Sequence, residues 1–196
     1  MKKTSVFILL FLLSADVFSQ NSHKHLIIDG IKAKVRASSE LSSRRSPDAY
    51  SVLNAFDNDT ATAWVEGSKG NGAGEWIEVW FEHPVLFKNI TIVNGYRKSS
   101  LLFAQNNRMA AFDIRFDSDK SPLFSNKQID TTIMLQVNRV ATKIRFVITN
   151  VTAGTKYSDL CISDIVLGVE KVDTTTASGN LIKGKKWLYL CKKRKN

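Results

Sequence analysis

Asp57 and Asp59 stand two residues apart in the run 55–64, AFDNDTATAW, beside the amide of Asn58 and the hydroxyls of Thr60 and Thr62. A hard cation such as calcium needs oxygens gathered in this way. The spacing is not that of an EF-hand loop, and Asp and Asn also close tight turns. From the residues alone the run is therefore either a cation loop or a turn. A second constellation combines Tyr96, Arg97 and Lys98 with Asn106 and Arg108. An aromatic ring packs on the C–H face of a pyranose, and amides and guanidinium forks bond its hydroxyls or a carboxylate, so the mixture suits a sugar or an acidic glycan. The competing reading is that Asn106 and Arg108 only satisfy the backbone of a long loop.

The residue types that run covalent or acid–base chemistry are poorly arranged. His23 and His25 fall near the start of the folded segment, and His83 precedes Pro84, so no histidine has an evident nucleophile beside it. A glycosidase would need a facing carboxylate pair at about 5–9.5 Å, for which Glu66 and Asp57 are the candidates. Glu66 and Glu75 also share a loop, but two acids in one loop are common, and hydrolysis ranks behind binding. Cys161 lies in the apolar segment 160–167 and reads as a small buried hydrophobe, while Cys191 lies in a basic tail. Neither cysteine has metal-ligand spacing to the other or to a histidine.

Short β-branched and aromatic runs separated by turn residues must position these groups, a pattern typical of an all-β antiparallel sandwich or barrel. Strands are expected over 33–38, 75–81, 86–93, 110–116, 133–138, 142–149 and 161–167, with no long helix. In 75–81, Ile77, Val79 and Phe81 alternate with Trp76, Glu78 and Trp80. In 143–148, Ile144, Phe146 and Ile148 alternate with Lys143, Arg145 and Val147. Each strand then has one covered and one wetter face. Three longer connections, 54–74, 94–108 and 150–159, carry the candidate residues, as loops of sandwiches commonly do.

The ends read differently. Lys2 and Lys3 precede an apolar run that stops at Asp16, with Val17 and Ser19 at the small-residue positions of a cleavage site. Residues 1–19 are thus expected to be a secretory signal and the protein to be secreted or periplasmic; the apolar run falls short of the ~20 residues a membrane span needs. Residues 20–36 read as a lead into the domain. The net charge is +10, but residues 170–196 carry eight Lys or Arg against Glu170 and Asp173. The basicity belongs to the tail, 169–196, and the body gives no reason to expect nucleic acid. Lys and Arg flanking Trp187 and Tyr189 suit an anionic membrane surface, the basis of a third expectation, a surface adaptor.

The segments YSVLNAFDNDTATAWVEGSKGNGAGEWIEVWF, NGYRKSSLLFAQNNR and AGTKYSDLCISDI follow one another in this order. Together they resemble a discoidin-like (coagulation factor 5/8 type C) domain, of the subtype found beside the enzyme in secreted bacterial NAD glycohydrolases and associated there with translocation and glycan binding. The resemblance covers about 37–168 and implies a galactose-binding-like jelly roll. It also implies a structural calcium, with Asp57, Asp59, Thr62 and Asp164 matching the ligand pattern; Asp164 stands where many relatives carry the longer Glu. With about 28 residues beyond the resembling segment, no catalytic domain is expected. The resulting expectation is a non-catalytic module binding a glycan through Trp64, Glu66, Tyr96, Arg97, Lys98, Asn106, Arg108 and Tyr157.

Overall fold

The computed structural model describes residues 22–117, 119–122, 124–126 and 131–172. The expected signal (1–19), Cys191 and the basic segment of the tail lie outside the described residues. The chain folds as an antiparallel β-sandwich. Strands β1 (Lys24–Ile28) and β2 (Ile31–Ala37) form a hairpin. Asp29 and Gly30 close it at φ +48° and +74°, the mirror-image turn whose twist matches that of paired strands. The expected lead, 20–36, which overlaps the strand expected from 33, is thus part of the sheet from Lys24 on.

Strand β3 (Trp64–Val65) is short, whereas β4 (Trp76–Asn94) and β7 (Thr132–Thr152) are long and each merges two expected strands. The first half of β4 pairs with β2 and with the second half of β7. Its second half pairs with the first half of β7 and with β8 (Cys161–Lys171). The register shifts between Trp80 and Val85, around Pro84, whose missing N–H suits an interruption of the ladder. Both long strands therefore pass from one layer to the other. Strands β5 (Arg108–Phe116) and β6 (Phe124–Asn126) complete the β1-β2-β4-β7-β5-β6 layer.

The predicted alternation holds. Ile77, Val79, Phe81, Ile144, Phe146 and Ile148 are buried between the layers. Phe81, Phe87 and Phe116 meet edge to face with centroids 5.6 and 5.1 Å apart. Cys161 is a buried free thiol, as its apolar surroundings imply. Burial, with Asp159 and Glu66 nearby, holds that thiol far above its ordinary pKa, so it does not act as a thiolate.

Candidate functional site

The connections that follow β2, β3, β4 and β7 meet at one end of the sandwich and are sewn together through backbone groups. The Asn107 amide donates to Asn71 O and Ser158 O and accepts from Gly154 N–H. Thr155 N–H donates to Ala104 O, and Lys156 and Tyr157 N–H both donate to Gln105 O. Residues 153–157 are thereby fixed against a six-residue helix, α1 (Ser100–Gln105), inside the 94–108 segment expected to be a loop. Ser99 starts that helix, its hydroxyl accepting from Leu102 N–H at 3.1 Å.

Phe103 of α1 organises the exposed tip. The guanidinium carbons of Arg97 and Arg108 lie 4.5 and 4.6 Å from its ring centroid, and Arg108 Nη1 donates to Phe103 O at 2.8 Å. Gly95 permits this arrangement. Its φ is +77°, and a Cβ there would come within 2.7 Å of the Phe103 ring. Arg97 and Lys98 are exposed and Arg108 is half-buried. Tyr157 is 40% exposed, with Lys156 Nζ 4.9 Å from its ring centroid. Among the described residues, no salt bridge joins Arg97, Lys98, Arg108 or Lys156 to a carboxylate. The tip is a cationic and aromatic surface with unspent donors.

Other expected contact residues are placed elsewhere. Trp64 is fully buried, and its indole N–H donates to Ser39 O at 2.9 Å, so it is a core residue and offers no ring to a ligand. Glu66 is buried, with one carboxylate oxygen accepting from Ser68 N–H and Oγ and the other from Leu160 N–H. Burial raises its pKa against those hydrogen bonds, with Glu75 adding repulsion. Asn106 is buried and its amide donates to Leu102 O, closing the C-terminus of α1. Tyr96 is half-buried against the small cluster of Ala63, Val65 and Cys161. Burial, then Tyr50 and Cys161, raise its phenol pKa. Phe103 escaped the sequence reading, although Ser99 followed by an apolar triplet is a helix-start signal.

The 55–64 run forms a 3-10 turn (Val52–Phe56) followed by a tight loop in which Asn58 has φ +58°. Asp57 accepts from Asp59 N–H at 2.9 Å and from the Thr62 hydroxyl at 2.7 Å, and Asp59 accepts from Ala61 N–H at 2.8 Å. Ser163 of β8 donates to Thr60 O, docking the loop on the last strand. Asp164 is 5% exposed and its Oδ1 has no hydrogen-bond partner. Burial raises its pKa, and the Asp57 charge adds to that, while the N–H groups of Ile165 and Asn58 oppose it. Among the described residues, no three acidic, His or Cys side chains gather as a metal cluster. Asp164, with one unpartnered oxygen, and Asp57, whose charge acts on it, are the two carboxylates here that could hold a hard cation.

No hydrogen bond connects Glu66 and Asp57. The repelling partner of Glu66 is Glu75, and that of Asp164 is Asp57. A buried Glu66 whose oxygens are held by Ser68 and Leu160 N–H is not poised across an open cleft, so the expected acid–base pair is not assembled.

Comparison with known proteins sets these features in context. The model of a family described as the NAD glycohydrolase translocation F5/8 type C domain matches residues 28–168. An alpha-(1->3)-arabinofuranosyltransferase of Mycolicibacterium smegmatis is 31% identical over 94 residues, which are 45% of this chain and 6% of that protein. The structure of arabinofuranosyltransferase AftD from Mycobacteria is similar over 72% of this chain and 10% of its own, at 22% identity and a TM-score of 0.52. A GH31 CBM32-2 module bound to GalNAc is similar over 71% of this chain and 99% of its own, at 16% identity and a TM-score of 0.52. The chain thus spans a small fraction of the transferases and nearly the whole of the isolated module, and at these identities the structures share its fold.

Proposed function

Because the chain belongs to the NAD glycohydrolase translocation F5/8 type C domain family, we propose that it is a secreted, non-catalytic recognition module that binds carbohydrate at the loop end of its sandwich. The observation that carries this reading is the pair of guanidiniums, Arg97 and Arg108, held on the Phe103 ring, with exposed Tyr157 tied through its backbone to the same helix. Rigid forked donors next to an aromatic surface bond sugar hydroxyls or a carboxylate while the ring takes a C–H face. Lys98 lies on the same tip, and half-buried Tyr96 supports it from the cluster behind. A similarly folded module bound to GalNAc supports the ligand class.

Calcium has a structural part in this proposal. Asp57 and Asp164, with oxygens of the Asp59–Thr62 turn, would hold it, and its charge would relieve the repulsion between the two carboxylates and pin the loop to β8. A glycan array probed with the purified protein tests the reading. Binding to a restricted set of sugars that disappears in Arg97→Ala and Arg108→Ala, with calcium affecting melting more than ligand choice, is expected. No glycan binding, or binding indifferent to both arginines, overturns it.

A further inference from the structure

The outer face of the β1-β2-β4-β7-β5 layer carries a second set of cations and rings, away from the loop tip. One register row runs His25, Lys34, Trp80, Lys143 across four strands, and the next runs Arg36, Glu78, Arg145, Arg115, the last ion-paired with Asp113 at 3.5 Å. Paired strands lie about 4.8 Å apart and same-face neighbours along a strand about 6.7 Å apart, so the rows form a lattice of charge. Its centre is rigid. The guanidinium carbon of Arg145 sits 4.2 Å from the Trp76 ring, and that of Arg36 sits 5.2 Å from Trp76 and 4.8 Å from Trp80. His23 meets Trp80 edge-on at 4.6 Å. Glu78, buried beneath them, pairs with both Arg36 and Arg145. One carboxylate holding two guanidiniums leaves this stack with net positive charge.

Beside the stack lies a cleft of about 600 Å³ lined by His23, His25, Lys32, Lys34, Trp80 and Glu82, within the range of small-ligand sites. Lys32 and Lys34 are exposed, and among the described residues neither they nor Lys143 pairs with a carboxylate. We infer that this cleft and the cationic rows leading from it form a second ligand surface, which takes an acidic saccharide, one bearing carboxylate or sulfate groups. The lysines supply charge and Glu82 an acceptor for hydroxyls, while Trp80, held under the Arg36 guanidinium, forms the wall of the cleft without offering an open face for stacking. A ligand of phosphates alone has no donor for Glu82. Single-stranded nucleic acid needs open aromatic faces for its bases, and here guanidiniums lie over both tryptophan rings. A bilayer meets side chains that project, whereas these line a concavity.

The test uses the full chain, with a heparin dodecasaccharide and a polysialic acid oligomer as probes and lysine-selective labelling read by mass spectrometry, so that contacts of the basic tail are separated by position. The expected result is several-fold protection of Lys32, Lys34 and Lys143 by at least one saccharide. Lys32→Ala combined with Lys34→Ala should weaken its affinity about 5–20-fold and lower the slope of log affinity against log salt by about 1–2. Protection should persist in Arg97→Ala/Arg108→Ala, which separates this surface from the loop tip. Labelling of these lysines that neither saccharide changes overturns the inference. So does equal protection by a single-stranded DNA oligomer or by phosphatidylserine vesicles, and so does loss of protection in the loop-tip variant.

Discussion

Asp164→Asn should act in opposite directions with and without calcium. Asp164 is 5% exposed, one of its oxygens has no partner, and Asp57 repels it. An unsatisfied buried polar group costs about 1–3 kcal/mol. The carboxamide keeps the shape, removes the charge and gives a donor that Asp57 can accept. In chelator the variant should therefore gain about 1 kcal/mol, and a chain of this size gains roughly 2–4 °C in melting temperature per kcal/mol. In calcium at about 100 times its dissociation constant, the natural protein should gain about 2.7 kcal/mol, or roughly 5–10 °C by the same scaling. The asparagine variant should lose most of that response. Differential scanning fluorimetry in calcium and in chelator reads all four values. Unchanged melting of the natural protein in saturating calcium, together with a lower chelated melting point for Asp164→Asn, refutes the reasoning: the orphaned oxygen would then be met within the fold.

Tyr96→Ala should lower the melting temperature, because a ring packed on Ala63, Val65 and Cys161 is removed; large-to-small changes cost about 2–4 kcal/mol when burial is partial, and Tyr96→Phe should restore the melt. Arg97→Ala and Arg108→Ala should each cost roughly 1–3 kcal/mol of glycan binding while leaving circular dichroism unchanged, as titration calorimetry can check. Gly95→Ala should destabilise the protein and weaken binding together, since it forces both a left-handed alanine and a collision with Phe103. Glu66→Gln should change the pH profile of stability. The folded-state pKa of Glu66 is raised, so the folded protein holds its proton longer than the unfolded chain, and stability falls as pH rises from about 4.5 through the folded pKa. The glutamine variant should show a shallower fall in chemical-denaturation midpoints over that window.

The layers were legible because one physical rule wrote them. Every second residue of 75–81 and 143–148 meets the core, so Ile77, Val79, Ile144 and Phe146 declare their face by spacing alone. Where the rule changed, the reading failed. Pro84 marks a place where β4 crosses between layers without ending, so one strand read as two. The hairpin at Asp29 and Gly30 carried its own signal, an Asp-Gly pair between alternating runs, with Lys32, Lys34 and Arg36 on one face and Ala33, Val35 and Ala37 on the other.

Loop residues obey no such period, and there residue type misleads in a consistent way. Trp64, Glu66 and Asn106 have the chemistry of sugar contacts, yet each is used inward: Trp64 to fill the core and reach Ser39 O, Glu66 to accept from the Ser68 and Leu160 N–H groups, and Asn106 to close α1. A long connection at the end of a sandwich leaves many backbone groups without a ladder, and polar side chains of the same loops must satisfy them first. What remains for the proposed ligand is the set left over from that task. Arg97 and Lys98 remain because they project from the tip, Tyr157 because its backbone rather than its ring is tied down, and Arg108 because one nitrogen of its guanidinium suffices for Phe103 O. The proposed binding surface is thus what the hydrogen bonding of its own loops leaves over, and a substitution that frees a spent residue, such as Asn107→Ala, should loosen the 153–157 segment that carries Tyr157 and lower the melting temperature before it touches a ligand, as a thermal melt can check.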